Sequence, residues 1–158
     1  MDVFLDEHKK FLLLLLKHNV EFMLIGGYAV ILYGYERGTS DMDLWLKPSN
    51  KNRDKFIEAL LEHGILKHTV SALNKMDFTE TLVMHIGENP NRIDFLTKVQ
   101  GVKYEEADSR KTLLPLQNKY IPVIHYHHLI TSKMITGRLQ DKIDVEQLKK
   151  INKKKNKK

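Results

Sequence analysis

The chain has 158 residues, 42% of them hydrophobic, which is enough for one cored domain and too few for two of ordinary size. Its net charge of +6 belongs to one end, because seven lysines crowd the last ten residues and the remainder is close to neutral. The absence of cysteine excludes disulfides, thiolate metal sites and cysteine nucleophiles, and it fits a reducing cytoplasm.

Taken in chain order, residues 3–18 place Val3, Phe4, Phe11, Leu12, Leu15 and Leu16 at helical intervals between charges, which predicts an opening helix packed on a sheet. The run Phe11 to Leu16 holds only six apolar residues between lysines, against the ~20 that a membrane span needs, so it reads as a buried helix and no membrane partner is expected. Phe22 to Ile25 form a short continuous apolar run, as an interior strand does. Gly26 and Gly27 follow at once, a short helix is expected over 28–33, and Gly34 is placed to end it. Residues 41–46 read as a second strand, closed by Pro48. Beyond the Ser49-Asn50 capping signal, Phe56, Ile57, Leu60 and Leu61 mark a helix over 51–63 that stops at Gly64.

Two strands, 82–86 and 92–96, flank the turn-rich segment Gly87-Glu88-Asn89-Pro90-Asn91, which predicts a hairpin. Short strands at 113–116 and 121–124 come next, and helices near 126–136 and 140–150 are separated at Gly137. This order implies an α/β (α+β) fold, a mixed β-sheet with flanking helices followed by C-terminal helices. Like-charge repulsion and the lack of apolar residues after Ile151 predict a folded domain over 1–148 and a disordered lysine-rich tail over 149–158.

The chemistry concentrates early. Side chains two apart on a strand share a face, so Asp41 and Asp43 present parallel carboxylates, the arrangement a hard divalent cation such as Mg²⁺ accepts together with substrate phosphates. Asp94 is the candidate third ligand, because it interrupts the apolar strand Ile93-Asp94-Phe95, where an uncompensated charge is costly. Gly26 and Gly27 lack a β-carbon and so let backbone approach a triphosphate, with the following helix offering free amides. Arg37 and Thr39 add a charge clamp and a hydroxyl. Trp45 is expected as a core anchor under the site, on the strand face opposite the carboxylates, near Met42. Tyr28 and Tyr33 suit either base stacking or packing.

The stretch from Gly26-Gly27-Tyr28-Ala29 through Gly34, Arg37, Thr39, Asp41 and Asp43 resembles the nucleotidyltransferase superfamily with the DNA polymerase β-like fold. It is most similar to the small bacterial branch that includes AbiEii-type abortive-infection toxins. The resemblance extends to Leu129-Ile130, Lys133, Arg138, Asp141 and Asp144, so it covers roughly residues 20–148. It implies the nucleotidyltransferase fold and Mg²⁺-dependent transfer of a nucleoside monophosphate from a triphosphate such as ATP. Asp41, Asp43 and Asp94 would then be metal-binding and catalytic, with Gly26, Gly27, Arg37, Thr39 and Lys133 on the nucleotide. RNA as acceptor and a cognate antitoxin-type protein as partner are further implications.

Other residues read both ways. Lys133 suits a triphosphate or a solvated helix face, and Arg138, Asp141 and Asp144 suit surface ion pairs between the last two helices. His125, His127 and His128 lack the spaced fourth ligand of a zinc site and fit a helix start. The rival to an enzyme is a non-catalytic nucleotide- or RNA-binding module of the same fold.

Overall fold

A computed structural model describes residues 3–157. Thirteen elements follow one another among these residues: α1 (Asp6–Lys17), β1 (Phe22–Ile25), α2 (Gly26–Leu32), β2 (Met42–Leu46), α3 (Asn50–His63), α4 (Lys67–Leu73), β3 (Val83–Ile86), β4 (Ile93–Leu96), α5 (Tyr104–Arg110), β5 (Thr112–Leu116), β6 (Lys119–Val123), α6 (Tyr126–Thr136) and α7 (Leu139–Asn156). The six strands form one mixed sheet in the order β3-β4-β2-β1-β6-β5. β2 pairs parallel to β4 and antiparallel to β1, while β1 and β6 run parallel. The expected 82–86 and 92–96 hairpin is present as antiparallel β3 and β4. No helix among the described residues is long and apolar enough to cross a membrane.

The interior strands are apolar because both faces are covered. All four residues of β1 are buried, and on one sheet face Phe95 packs edge-on against Phe56 of α3 and tilted against Phe11 of α1, with ring centroids 4.8 and 5.7 Å apart. The predicted N-cap of α3 forms, with the Ser49 side chain accepting from the Asn52 amide, and Gly64 closes the helix in a left-handed conformation at φ 101°.

Three features depart from the sequence expectation. α4 and α5, each seven residues, were not anticipated: at that length a helix is stable only through its packing, and Val70 and Leu73 of α4 and Tyr104 and Ala107 of α5 are buried. Trp45 lies on the same face as Asp41 and Asp43, since positions 41, 43 and 45 alternate together, whereas Met42 faces the opposite layer. Its indole N–H donates to the Thr97 carbonyl at 3.2 Å, and its ring meets Tyr104 edge-on at 5.1 Å. The lysine-rich segment is not disordered: α7 continues to Asn156, supported by a Glu146–Lys150 pair and by Ile151 packed near Gly34. Cations at a helix C-terminus also suit its dipole. Lys158 lies outside the described residues.

Candidate active site

The strand order spreads the site across the sheet. β1 ends where β2 begins, with Ile25 opposite Asp43, and β4 runs beside β2 with Asp43 opposite Asp94. The glycine turn after β1, the Asp pair at the start of β2 and Asp94 on β4 therefore meet at one edge, on strands spaced roughly 4.8 Å apart. Carboxylate oxygens of Asp41, Asp43 and Asp94 lie within 4.8 Å of one another, the one such group of metal-competent side chains among the described residues. They border a cavity of about 1120 Å³ that Gly26, Gly27, Arg37, Thr39, Lys133 and Arg138 also line.

The acids perturb one another. Burial raises the Asp43 carboxyl first, and the charges of Asp41 and Asp94 add to it, so that its pKa is pushed up to about 7. Burial, with Asp94 as hydrogen-bond partner and like charge, also raises Asp41. Asp94 is held by Arg92, whose Nε and a terminal nitrogen each lie 3.0 Å from Oδ1. Sequence reasoning did not single out Arg92, although its place two residues before Asp94 on the same strand face was a usable signal.

The glycine turn fits tightly under this cluster. Gly26 has φ 68°, and a β-carbon there would run into the Asp43 carboxylate. At Gly27 a β-carbon would lie 2.5 Å from Thr39 Oγ1 and 3.3 Å from an Arg37 nitrogen. We therefore expect Gly26→Ala to cost roughly 1–2 kcal/mol through its backbone conformation alone and to displace Asp43 as well. Thermal unfolding alongside Mn²⁺ titration will show both losses.

The predicted cations are present but not solitary. Arg37 donates from Nε and one terminal nitrogen to the two oxygens of Asp144 at 2.8 and 3.0 Å, and from the other to the Gly38 carbonyl at 2.8 Å. Lys133 is buried, not solvated, and its Nζ lies 2.8 Å from Asp144 and 3.1 Å from Asp141. Asp141 and Asp144 are buried too, so the surface-pair reading is corrected: they hold cations at the cavity wall. Burial would raise both carboxyls, yet hydrogen bonds outweigh it and keep them below the usual range; Arg138, Thr136 and Lys133 serve Asp141, and Arg37, Lys133 and Gln140 serve Asp144.

The aromatic and imidazole candidates have structural roles. Tyr28 is buried with its hydroxyl 3.1 Å from His8 Nδ1, and the Tyr33 hydroxyl donates to the Ile124 carbonyl at 2.7 Å, which makes both packing residues. His125 Nδ1 accepts from the His127 amide and caps α6, and no histidine joins a metal-competent group among the described residues.

No protein-family model and no curated protein matches this sequence. Solved structures do match its fold. The lincosamide antibiotic adenylyltransferase LnuA, in its lincomycin-bound form, aligns with 96% of this chain and 99% of its own at 17% identity and TM-score 0.57. A Thermotoga maritima protein assigned as a nucleotidyltransferase covers 96% of this chain and 91% of its own at 12% identity and TM-score 0.55. An antigenic nucleotidyltransferase-like protein from Paracoccidioides brasiliensis covers 92% and 75% at 16% identity and TM-score 0.50. Each likeness takes in more than nine-tenths of this chain, and the chain accordingly has the nucleotidyltransferase fold.

Proposed function

We propose that this protein is a Mg²⁺-dependent nucleotidyltransferase that moves a nucleoside monophosphate from a triphosphate such as ATP onto a hydroxyl acceptor. The observation that carries this reading is the convergence of Asp41, Asp43 and Asp94 beside a glycine turn where a β-carbon at Gly26 would run into Asp43 and one at Gly27 would crowd Thr39. The donor set suits a hard divalent cation: the ligands are all carboxylate oxygens, and Asp43 is pushed up to about 7 by burial beside two other acids that a cation would neutralise. Such an ion supplies charge neutralisation at the α-phosphate and at the attacking oxygen.

The residues of this chain divide the rest of the work. Gly26 and Gly27 bring backbone close to the phosphates, and Thr39 adds a hydroxyl beside them. Arg37 and Lys133 set a positive wall, held in place through Asp144. Asp94, oriented by Arg92, serves as third ligand or as base toward the acceptor. Transfer then forms a bond from acceptor oxygen to α-phosphorus, breaks the α–β anhydride and releases pyrophosphate.

An RNA end is the acceptor that the sequence resemblance supports, within a cytoplasmic toxin–antitoxin pair. The lincomycin-bound neighbour supports a second acceptor class, a small hydroxyl compound. Incubation with each α-labelled NTP and Mg²⁺, offering total RNA, total protein or lincomycin, will separate these. Label is expected on one acceptor class and absent from an Asp41→Ala, Asp43→Ala variant. Transfer that persists in the variant would remove the carboxylates from the reaction, and binding of nucleotide without any transfer would favour the non-catalytic module.

A further inference from the structure

The cation that the sequence points to most directly is already committed within the protein. All three guanidinium nitrogens of Arg37 are engaged, by Asp144 and by the Gly38 carbonyl, and the side chain is only 17% exposed. Lys133 is held between two carboxylates with 8% of its side chain exposed. Arg138 differs from both. It lines the same cavity, its side chain is 79% exposed, and its Nε is anchored 2.8 Å from Asp141 Oδ2 while a terminal nitrogen reaches Asp141 Oδ1 at a longer 3.4 Å. Of the five N–H donors a guanidinium carries, only two are used on Asp141. The cavity it lines is the one that Asp41, Asp43 and Asp94 border.

We propose that Arg138 is the residue that contacts the nucleotide phosphates directly, while Asp141 and Asp144 are positioning residues that aim Arg138 and fix Arg37 and Lys133 behind it. Guanidinium suits this task because it meets two phosphate oxygens at once, and anchoring through Nε reduces the freedom lost on binding. Asp141 couples the two layers, since one carboxylate receives Lys133, Thr136 and Arg138 together. The assignment rests on the transferase reading for its ligand, a polyphosphate, and adds which residue meets it.

A purely structural alternative exists in the same contacts, because Arg138 also occupies the N-cap of α7 and its backbone amide is bonded to Asp141. The test therefore uses a ligand that is independent of base and acceptor. Protein loaded with Mn²⁺ is titrated calorimetrically with inorganic tripolyphosphate, and wild type is compared with Arg138→Gln and Arg138→Lys. The backbone cap survives in both variants and the replaced side chain is exposed, so both are expected to fold, which circular dichroism will check. Tripolyphosphate affinity is expected to fall about 10-fold or more in Arg138→Gln, with partial rescue in Arg138→Lys. Mn²⁺ affinity measured without tripolyphosphate should be unchanged or tighter, because a cation near the acids has been removed.

Equal tripolyphosphate affinity in wild type and Arg138→Gln would overturn the assignment, as would parallel loss of Mn²⁺ and tripolyphosphate. Wild type that takes Mn²⁺ but no tripolyphosphate overturns it too, leaving the acidic centre standing. A wild-type chain that takes neither removes the transferase reading itself, and Arg138 with it.

Discussion

Replacing Asp43 by asparagine is expected to raise the melting temperature of the chelator-treated protein at pH 8 while abolishing nucleotide transfer. A carboxyl whose folded pKa is pushed up to about 7 holds its proton in the native state at pH values where the unfolded chain has released it. Its contribution is most favourable below about pH 4 and is lost as pH rises through about 7, so at pH 8 the metal-free native state bears the full repulsion. The shift from 3.8 corresponds to roughly 2–4 kcal/mol after allowance for partial exposure, or a rise of several degrees in a chain of this size.

The comparison isolates Asp43 from other groups titrating in the same range, among them His8 and His63, whose pKa values burial lowers. The difference between variant and wild type should therefore shrink from pH 8 to pH 5. Mg²⁺ or Mn²⁺ should stabilise wild type and do so far less in the variant. A variant less stable than wild type at pH 8 without metal would show that Asp43 is compensated in a way its neighbours do not indicate.

Asp144→Ala should have the opposite and larger effect on stability. Its carboxylate is fully buried and receives Arg37, Lys133 and Gln140, drawn from the loop after α2, from α6 and from α7. Removal leaves Arg37 without two of its three hydrogen bonds and Lys133 with Asp141 alone. Breaking a buried pair by deleting one side costs roughly 3–5 kcal/mol, because the remaining charge stays desolvated. A fall in melting temperature of roughly 10 °C follows.

The pH signature also differs in sign from that of Asp43. Asp144 has a lowered pKa, so its contribution is present above about pH 4 and is lost as pH falls further. The cost of Asp144→Ala should thus be full at neutral pH and shrink in strong acid. Urea unfolding at pH 7 and pH 3 will measure it. A cost below about 1 kcal/mol at pH 7 would mean that α7 is not tied to the site through this residue.

These two variants divide the site along the line between what one strand announces and what distant elements assemble. Asp41 and Asp43 are legible because strand alternation is local: two residues apart means one face, whatever the rest of the chain does. Asp94 was legible for a similar reason, as a charge flanked by Ile93 and Phe95, both buried in the structure. The same rule, applied without a slip, also puts Trp45 on the carboxylate face.

Period, capping and turn residues likewise settle most elements, from the buried run of β1 to the Ser49 cap and the Gly64 stop of α3. They do not settle α4 and α5, whose seven residues carry too little pattern and form only where the core receives them. Nor do they settle the end of the chain, where composition argues for repulsion while Ile151 and the Glu146–Lys150 pair favour helix.

By itself the sequence determined the mixed fold, the glycine turn and three acids suited to a divalent ion, since each depends on residues near one another in the chain. Tertiary structure alone decided that Lys133, Asp141 and Asp144 are buried and that Arg37 is spoken for while Arg138 is exposed. Whether an ion pair is solvated or enclosed depends on which helix lies over it, and a spacing of three or four residues looks the same in both cases.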